Sequence, residues 1–313
     1  MSVKKSYQAR ARAVIFRLIY VSLVILTILS TGIGMASPGR TFAIIYPVVN
    51  PFFDGTTTSA EVMAKTLGCK LIIDGPDKFD IKQQIGILEK LIALRVDGIA
   101  IGPTDAGALA PVIDKAVNQG IKVVCFDTDC PLSQRLSFIG TDNLNAGGHM
   151  GEVAAKLLNY TGKVICSQGI PSQLNLQQRM QGVKEVFKKY PRIKILDIRS
   201  GQGDSARTLA NIEAMTTEHP DFDLFIGLDS FAGPQAVIAW KEKGIKKPVV
   251  TFDDLPEVLQ GIRDGQITVA IVQKQRLWGS LIVERLNQAC NGKKIPDNED
   301  TGTLEISRAN IDR

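Results

Sequence analysis

Two aspartates end the same short phrase: Val123-Val124-Cys125-Phe126-Asp127 and, 126 residues later, Val249-Val250-Thr251-Phe252-Asp253. Ionised carboxylates accept hydrogen bonds from hydroxyl groups, and such charge-assisted bonds are stronger than neutral ones. Each acid closes a β-branched run with an aromatic, the composition of a strand that stops there. The segment Tyr46-Pro47-Val48-Val49-Asn50-Pro51-Phe52-Phe53 carries different chemistry. Adjacent helical residues point in different directions, so one of Phe52 and Phe53 is expected to pack inward and the other to face a cleft. A flat ring there can cover the C–H face of a sugar, and Asn50 can both donate to and accept from hydroxyls. Asn50 and Pro51 also read as a helix N-cap with proline at the first helical position; the two roles are compatible.

These groups need elements to hold them. A second repeat, Ile99-Ala100-Ile101-Gly102 and Leu224-Phe225-Ile226-Gly227, keeps nearly the same offset, 125 residues. Two matched pairs at one offset predict two α/β domains of one design. Apolar runs predict strands at 42–46, 70–74, 97–101, 121–126 and 137–140, then 163–167, 193–198, 223–227, 248–252 and 267–272. Helical periodicity marks 53–67, 80–94, 106–119, 174–190, 204–218, 230–243 and about 275–290, with Gly68, Gly120 and Gly244 at helix ends. Strands alternating with helices predict two similar doubly wound parallel sheets. Material after the second repeat is expected to cross back to the first domain, and several crossovers would make a hinge. The expected boundaries are 40–141 plus 274–302 for the first domain and 142–273 plus 303–313 for the second. Ligands of open parallel sheets bind beyond the strands' carboxyl ends, where Asp127 and Asp253 would face one another.

Residues 1–36 read as a signal peptide: Lys4, Lys5, Arg10, Arg12 and Arg17 precede an apolar run from Leu18 to Leu29, and Gly34 and Ala36 flank a cut before Ser37. An uncleaved anchor is the rival reading. Five of the 37 bases and none of the 32 acids lie in this stretch, so the rest of the chain balances at zero formal charge and offers no basic face for nucleic acid. Of the five cysteines, Cys125 and Cys166 read as buried strand residues, and a local bridge between Cys125 and Cys130 is left open. With two histidines and no CxxC pair, no metal or cofactor is expected. The chain has no GxxxxGK[ST] loop, GxSxG elbow or HExxH pair. Asp127 and Asp253 could flank a glycosidic bond only if one had a raised pKa, and binding is the reading preferred over turnover.

The order and spacing of these segments resemble periplasmic sugar-binding proteins of the ribose-binding type, the receptors of ATP-driven importers. The resemblance runs through Asn50-Pro51-Phe52-Phe53, Val96-Asp97-Gly98-Ile99, Phe126-Asp127, Ile139-Gly140-Thr141-Asp142-Asn143, Phe252-Asp253 and Ala270-Ile271-Val272-Gln273. Lactose-repressor-type regulators share the sensor fold but carry a DNA-binding domain where this chain has an export segment. The resemblance implies a type I periplasmic binding protein fold, a periplasmic location, hinge closure over a small sugar or polyol, and delivery to an ABC transporter permease. A chemotaxis or signalling receptor is the alternative partner, and a carbohydrate-active enzyme the more distant one. It also implies the ligand contacts: Asn50, Phe52, Phe53 and Asp127 from the first domain, and Arg179, Asp229, Asp253 and Gln273 from the second.

The chain departs from that pattern at four positions. Thr128 stands where ribose binders have arginine, Asp229 where they commonly have asparagine, and Gly203 near the place of a second-domain aromatic. Tyr46 is bulkier than the small polar residue often found there. Three acids against one arginine would make the pocket more acidic than a ribose site. A hexose, a polyol, an amino-bearing sugar or a furanone-like signal is left open.

Overall fold

Short β-branched runs separated by amphipathic stretches build two six-stranded sheets. The structure, a computed structural model, describes residues 39–312; the expected signal peptide lies outside the described residues. The first sheet contains β1 (Thr41–Ile45), β2 (Lys70–Asp74), β3 (Gly98–Ile101), β4 (Lys122–Phe126), β5 (Ser137–Gly140) and β11 (Asn298–Asp300), in the order β11-β5-β4-β3-β1-β2. The second contains β6 (Gly162–Gln168), β7 (Ile193–Ser200), β8 (Leu224–Gly227), β9 (Val249–Phe252), β10 (Val269–Gln273) and β12 (Thr303–Ser307), in the order β12-β10-β9-β8-β6-β7. All pairings are parallel except that of β10 with β12. This is the doubly wound α/β architecture expected from the repeats.

Both faces of each sheet are covered, so the central strands are apolar throughout rather than alternating. In β4, Val123 and Cys125 enter one core of the first lobe, while Val124 and Phe126 enter the other. The second core also contains Trp278, Ile282, Val283 and Leu286. They come from helix Gln275–Cys290, which follows β10 in sequence yet packs on the first sheet. The chain thus passes between sheets three times: after β5, after β10, and between β11 and β12.

Two helices, Asn143–Leu157 and Pro256–Asp264, are not expected from the sequence, nor are strands β11 and β12, which join different sheets from within the expected tail. The first omission has a physical cause. Gly147, Gly148 and Gly151 lower helix propensity, but Gly147 and Gly151 lie against helix Leu174–Lys189, where Gly182 answers them from the other side. A Cβ at Gly147 would lie 2.1 Å from the Arg179 carbonyl oxygen, and one at Gly182 would lie 2.2 Å from that of Leu144. The helix therefore touches helix Leu174–Lys189 backbone to backbone. Gly279 does the same in the first lobe, where a Cβ would lie 1.9 Å from the Thr56 carbonyl oxygen. All five cysteines are free, so Cys125 and Cys130 are buried thiols and form no bridge.

Candidate functional site

The two Phe-Asp phrases end β4 and β9 with the same backbone geometry. Asp127 has φ 61° and Asp253 φ 68°, the left-handed region that few residues other than glycine, asparagine and aspartate enter. The Asp127 amide donates to Ile139 O (3.3 Å) and the Asp253 amide to Ile271 O (2.9 Å), each on the neighbouring strand. At Asp127 the turn is closed by Thr128 N donating to Phe126 O at 2.6 Å, a three-residue γ-turn. The carboxylates thus leave their sheets at equivalent points, neither capping a helix.

Arg179 lies between them on helix Leu174–Lys189, only 2% exposed. Its position follows from the glycine contact, since the backbone carbonyl of Arg179 is the group that rests on Gly147. Arg179 Nε donates to Asn143 Oδ1 (2.8 Å), Nη1 to Leu228 O (3.0 Å) and Nη2 to Gln273 Oε1 (2.9 Å). Gln273 Nε2 in turn donates to Asp253 Oδ1 at 3.0 Å. The guanidinium carbon sits 3.9 Å from the centroid of the Phe252 ring, a cation–π contact in a desolvated setting.

On the first-lobe side, Asn50 Oδ1 accepts from Phe52 N (2.8 Å) and caps a 3₁₀ turn, Pro51–Phe53, with proline in its first positions. Phe52 and Phe53 are both buried and both line the cavity, so the division expected of them, one inward and one facing the cleft, does not hold. The tight 3₁₀ turn brings both rings to the same wall. Phe53 stacks on Tyr46 (4.5 Å, 18°), and Phe52 meets Trp278 edge-on (5.9 Å). Tyr46 does not fill the cavity. Its hydroxyl bonds Thr57 Oγ1 at 2.8 Å, and burial pushes its pKa to about 12.

All eight residues singled out from the sequence, Asn50, Phe52, Phe53, Asp127, Arg179, Asp229, Asp253 and Gln273, line one cavity between the two sheets. Gln173 and Asn175 line it too. The Asn175 amide approaches Thr128 Oγ1 of the opposite lobe at 3.4 Å. Asp229 has two roles: Oδ1 accepts from Phe231 N (3.2 Å) and Ala232 N (2.9 Å), holding the start of helix Ala232–Lys243, while the residue also lines the cavity. The sequence reading misses Phe79 and Phe231, whose rings meet across the cleft at 6.2 Å. Phe79 lies against Gly203: a Cβ there would be 2.2 Å from its ring. The first lobe thus places a ring in the space that Gly203 leaves, and Phe231 supplies an aromatic from the second lobe. A phenylalanine in the loop after β2 carried no periodic signal to mark it.

Burial dominates the electrostatics. It raises Asp127 and Asp229 to about 6 and Asp253 to about 7, while Arg179 pulls all three the other way. For Arg179 itself burial lowers the pKa, opposed by Asp253, Asp127 and Asp229. The cavity can therefore accept hydrogen bonds from donor-rich ligands and offer aromatic faces to their C–H groups.

A family model described as a periplasmic binding protein domain matches residues 42–294. The chain belongs to this family. Among relatives, a D-ribose/D-allose-binding protein of Pseudomonas aeruginosa is 30% identical over 240 residues, 73% of this chain and 74% of its own. The ribose import binding protein of Bacillus subtilis is 26% identical, over 79% of this chain and 80% of its own. Among solved structures, an ABC transporter solute binding protein from Burkholderia graminis, in complex with D-arabinose, is 33% identical with a TM-score of 0.86. That match covers 88% of this chain and 98% of the other. The fold is that of type I periplasmic binding proteins. Among the described residues, no helix is long and apolar enough to cross a membrane.

Proposed function

We propose that this periplasmic binding protein captures one monosaccharide or sugar-like polyol between its two lobes and delivers it to an ABC importer. One observation carries this reading: both repeated aspartates and Arg179 converge with Phe52 and Phe53 on a single cavity between the sheets. Asp127, Asp229, Asp253, Asn50 and Gln273 bond the ligand's hydroxyls, Arg179 donates to its oxygens, and the phenylalanines cover its C–H faces. The lobes are the segments 40–141 plus 274–302 and 142–273 plus 303–313. They move about the three crossovers, and contacts from both sides favour the closed state that a permease recognises. The segment 1–36 directs export and is removed after Ala36, which mass measurement of the mature protein would check.

The relatives named above are binding and import proteins, which supports binding over turnover, although a carboxyl raised to about 7 is what a general acid would need. A thermal-shift screen against pentoses, hexoses, polyols and amino sugars tests the proposal, since a ligand that binds only the native state raises the midpoint. No shift across the panel rejects it, and chemical conversion of a hit would identify an enzyme instead. Asp253→Ala should weaken binding of any hit at least tenfold.

A further inference from the structure

Three carboxylates and one guanidinium line the cavity, and no lysine or histidine joins them among the described residues. Asp127, Asp229 and Asp253 are 6%, 8% and 2% exposed, so water screens them little. Arg179 spends three of its five N–H groups on neutral protein acceptors, Asn143 Oδ1, Leu228 O and Gln273 Oε1, and its one positive charge faces all three carboxylates. Asp229 spends Oδ1 on backbone amides and Asp253 spends Oδ1 on Gln273, and the second oxygen of each has no hydrogen-bond donor among the described residues. The Asp229 Oδ2 lies at the cavity wall beside Gly169, where a Cβ would come within 2.3 Å of it. Buried negative charge in this excess demands a compensating positive one. The rest of the wall suits a cation as well, since Phe52, Phe53, Phe79 and Phe231 present rings to the same space and aromatic faces attract ammonium groups.

We infer that the ligand is an amino-bearing sugar or amino polyol whose single ammonium group is held by the carboxylates, with Asp229 as the residue that selects it over neutral sugars. This rests on the sugar-binding reading above and narrows it. A neutral sugar offers the carboxylates hydroxyl donors but no charge, so its binding favours proton uptake by the protein, whereas an ammonium ligand brings the compensation itself. Asparagine at position 229 would keep the Oδ1 acceptor for Phe231 N and Ala232 N while removing the charge, so the fold survives the test.

Isothermal titration at pH 7.5 with D-glucosamine, D-galactosamine and D-mannosamine, each beside its neutral parent sugar, decides the matter. The expected result is that at least one amine binds tenfold or more tighter than its parent. Asp229→Asn should shrink that ratio at least threefold with an unchanged circular dichroism spectrum. Titrations in buffers of different ionisation enthalpy should show proton uptake with the neutral parent and less with the amine. A neutral sugar that binds as tightly as its amine, or a ratio unmoved by Asp229→Asn, overturns the inference and leaves the sugar-binding reading standing. Binding of neither class overturns both.

Discussion

Phe126 and Phe252 end equivalent strands, yet Phe126 braces the ring cluster of Tyr46, Phe53 and Trp278 while Phe252 carries the Arg179 guanidinium 3.9 Å above its ring. The duplicated phrase has been divided between the two walls of one cavity. The first copy supports the apolar wall, the second supports the cation, and the aspartate that follows each keeps the same backbone turn.

Arg179→Lys should lose binding by about a hundredfold or more by titration calorimetry. A lysine cannot span the acceptors on Asn143, Leu228 and Gln273 with one planar fork, and it forgoes the stacked contact with Phe252. Retention of binding within threefold would show that the guanidinium geometry is not used.

Gly147→Ala should cost about 1–3 kcal/mol or more in urea unfolding, because backbone atoms rather than a flexible side-chain tip oppose the new methyl. Binding should weaken in the same variant, since the displaced backbone is that of Arg179. Gly148→Ala, where a Cβ meets nothing within 4 Å, should be neutral or stabilising and serves as the control.

The ligand-free protein should melt at a higher temperature at pH 5 than at pH 8. Asp127, Asp229 and Asp253 have folded-state pKa values of about 6, 6 and 7, above the value of an exposed aspartate. The folded state therefore binds more protons between about pH 4 and pH 7, and stability is lost as pH rises through that window. Asp253→Asn should flatten the profile, and a calorimetric melting series across pH checks both statements.

Phe79→Ala should weaken binding about tenfold, mainly by faster dissociation, because the ring closes the cleft against Gly203 and Phe231 without bonding the charged groups. Stopped-flow release of a bound ligand distinguishes this from a slower association. Gly203→Ala should act in the same direction: its φ is +72° and its missing Cβ is where the Phe79 ring lies.

Much of this architecture was legible because it is periodic. The repeats at Asp127 and Asp253 exposed the paired sheets, and the Asn50-Pro51 cap was written in adjacent residues. What escaped depends on contacts distant in sequence. Helix Asn143–Leu157 hides behind glycines whose purpose is a neighbour thirty residues on, and Phe79 has meaning only once Gly203 is opposite it. The burial that raises three aspartates likewise belongs to the closed cavity and not to any local motif. Asp229 shows the limit in one residue, since a helix-starting acid and a cavity acid look identical until both its oxygens are located.

The passage of the chain from β10 back to the first sheet sets an order of events during synthesis. One face of that sheet, with Phe42, Ile44 and Phe126, is covered by Trp278, Ile282, Val283 and Leu286. A chain emerging amino end first therefore holds an uncovered greasy surface until some 240 further residues have followed Phe42. The second lobe lacks only its edge strand β12 by the time residue 274 is made. A fragment ending there should keep the second lobe's cooperative core and leave the first sticky, a natural substrate for whatever escorts unfinished chains.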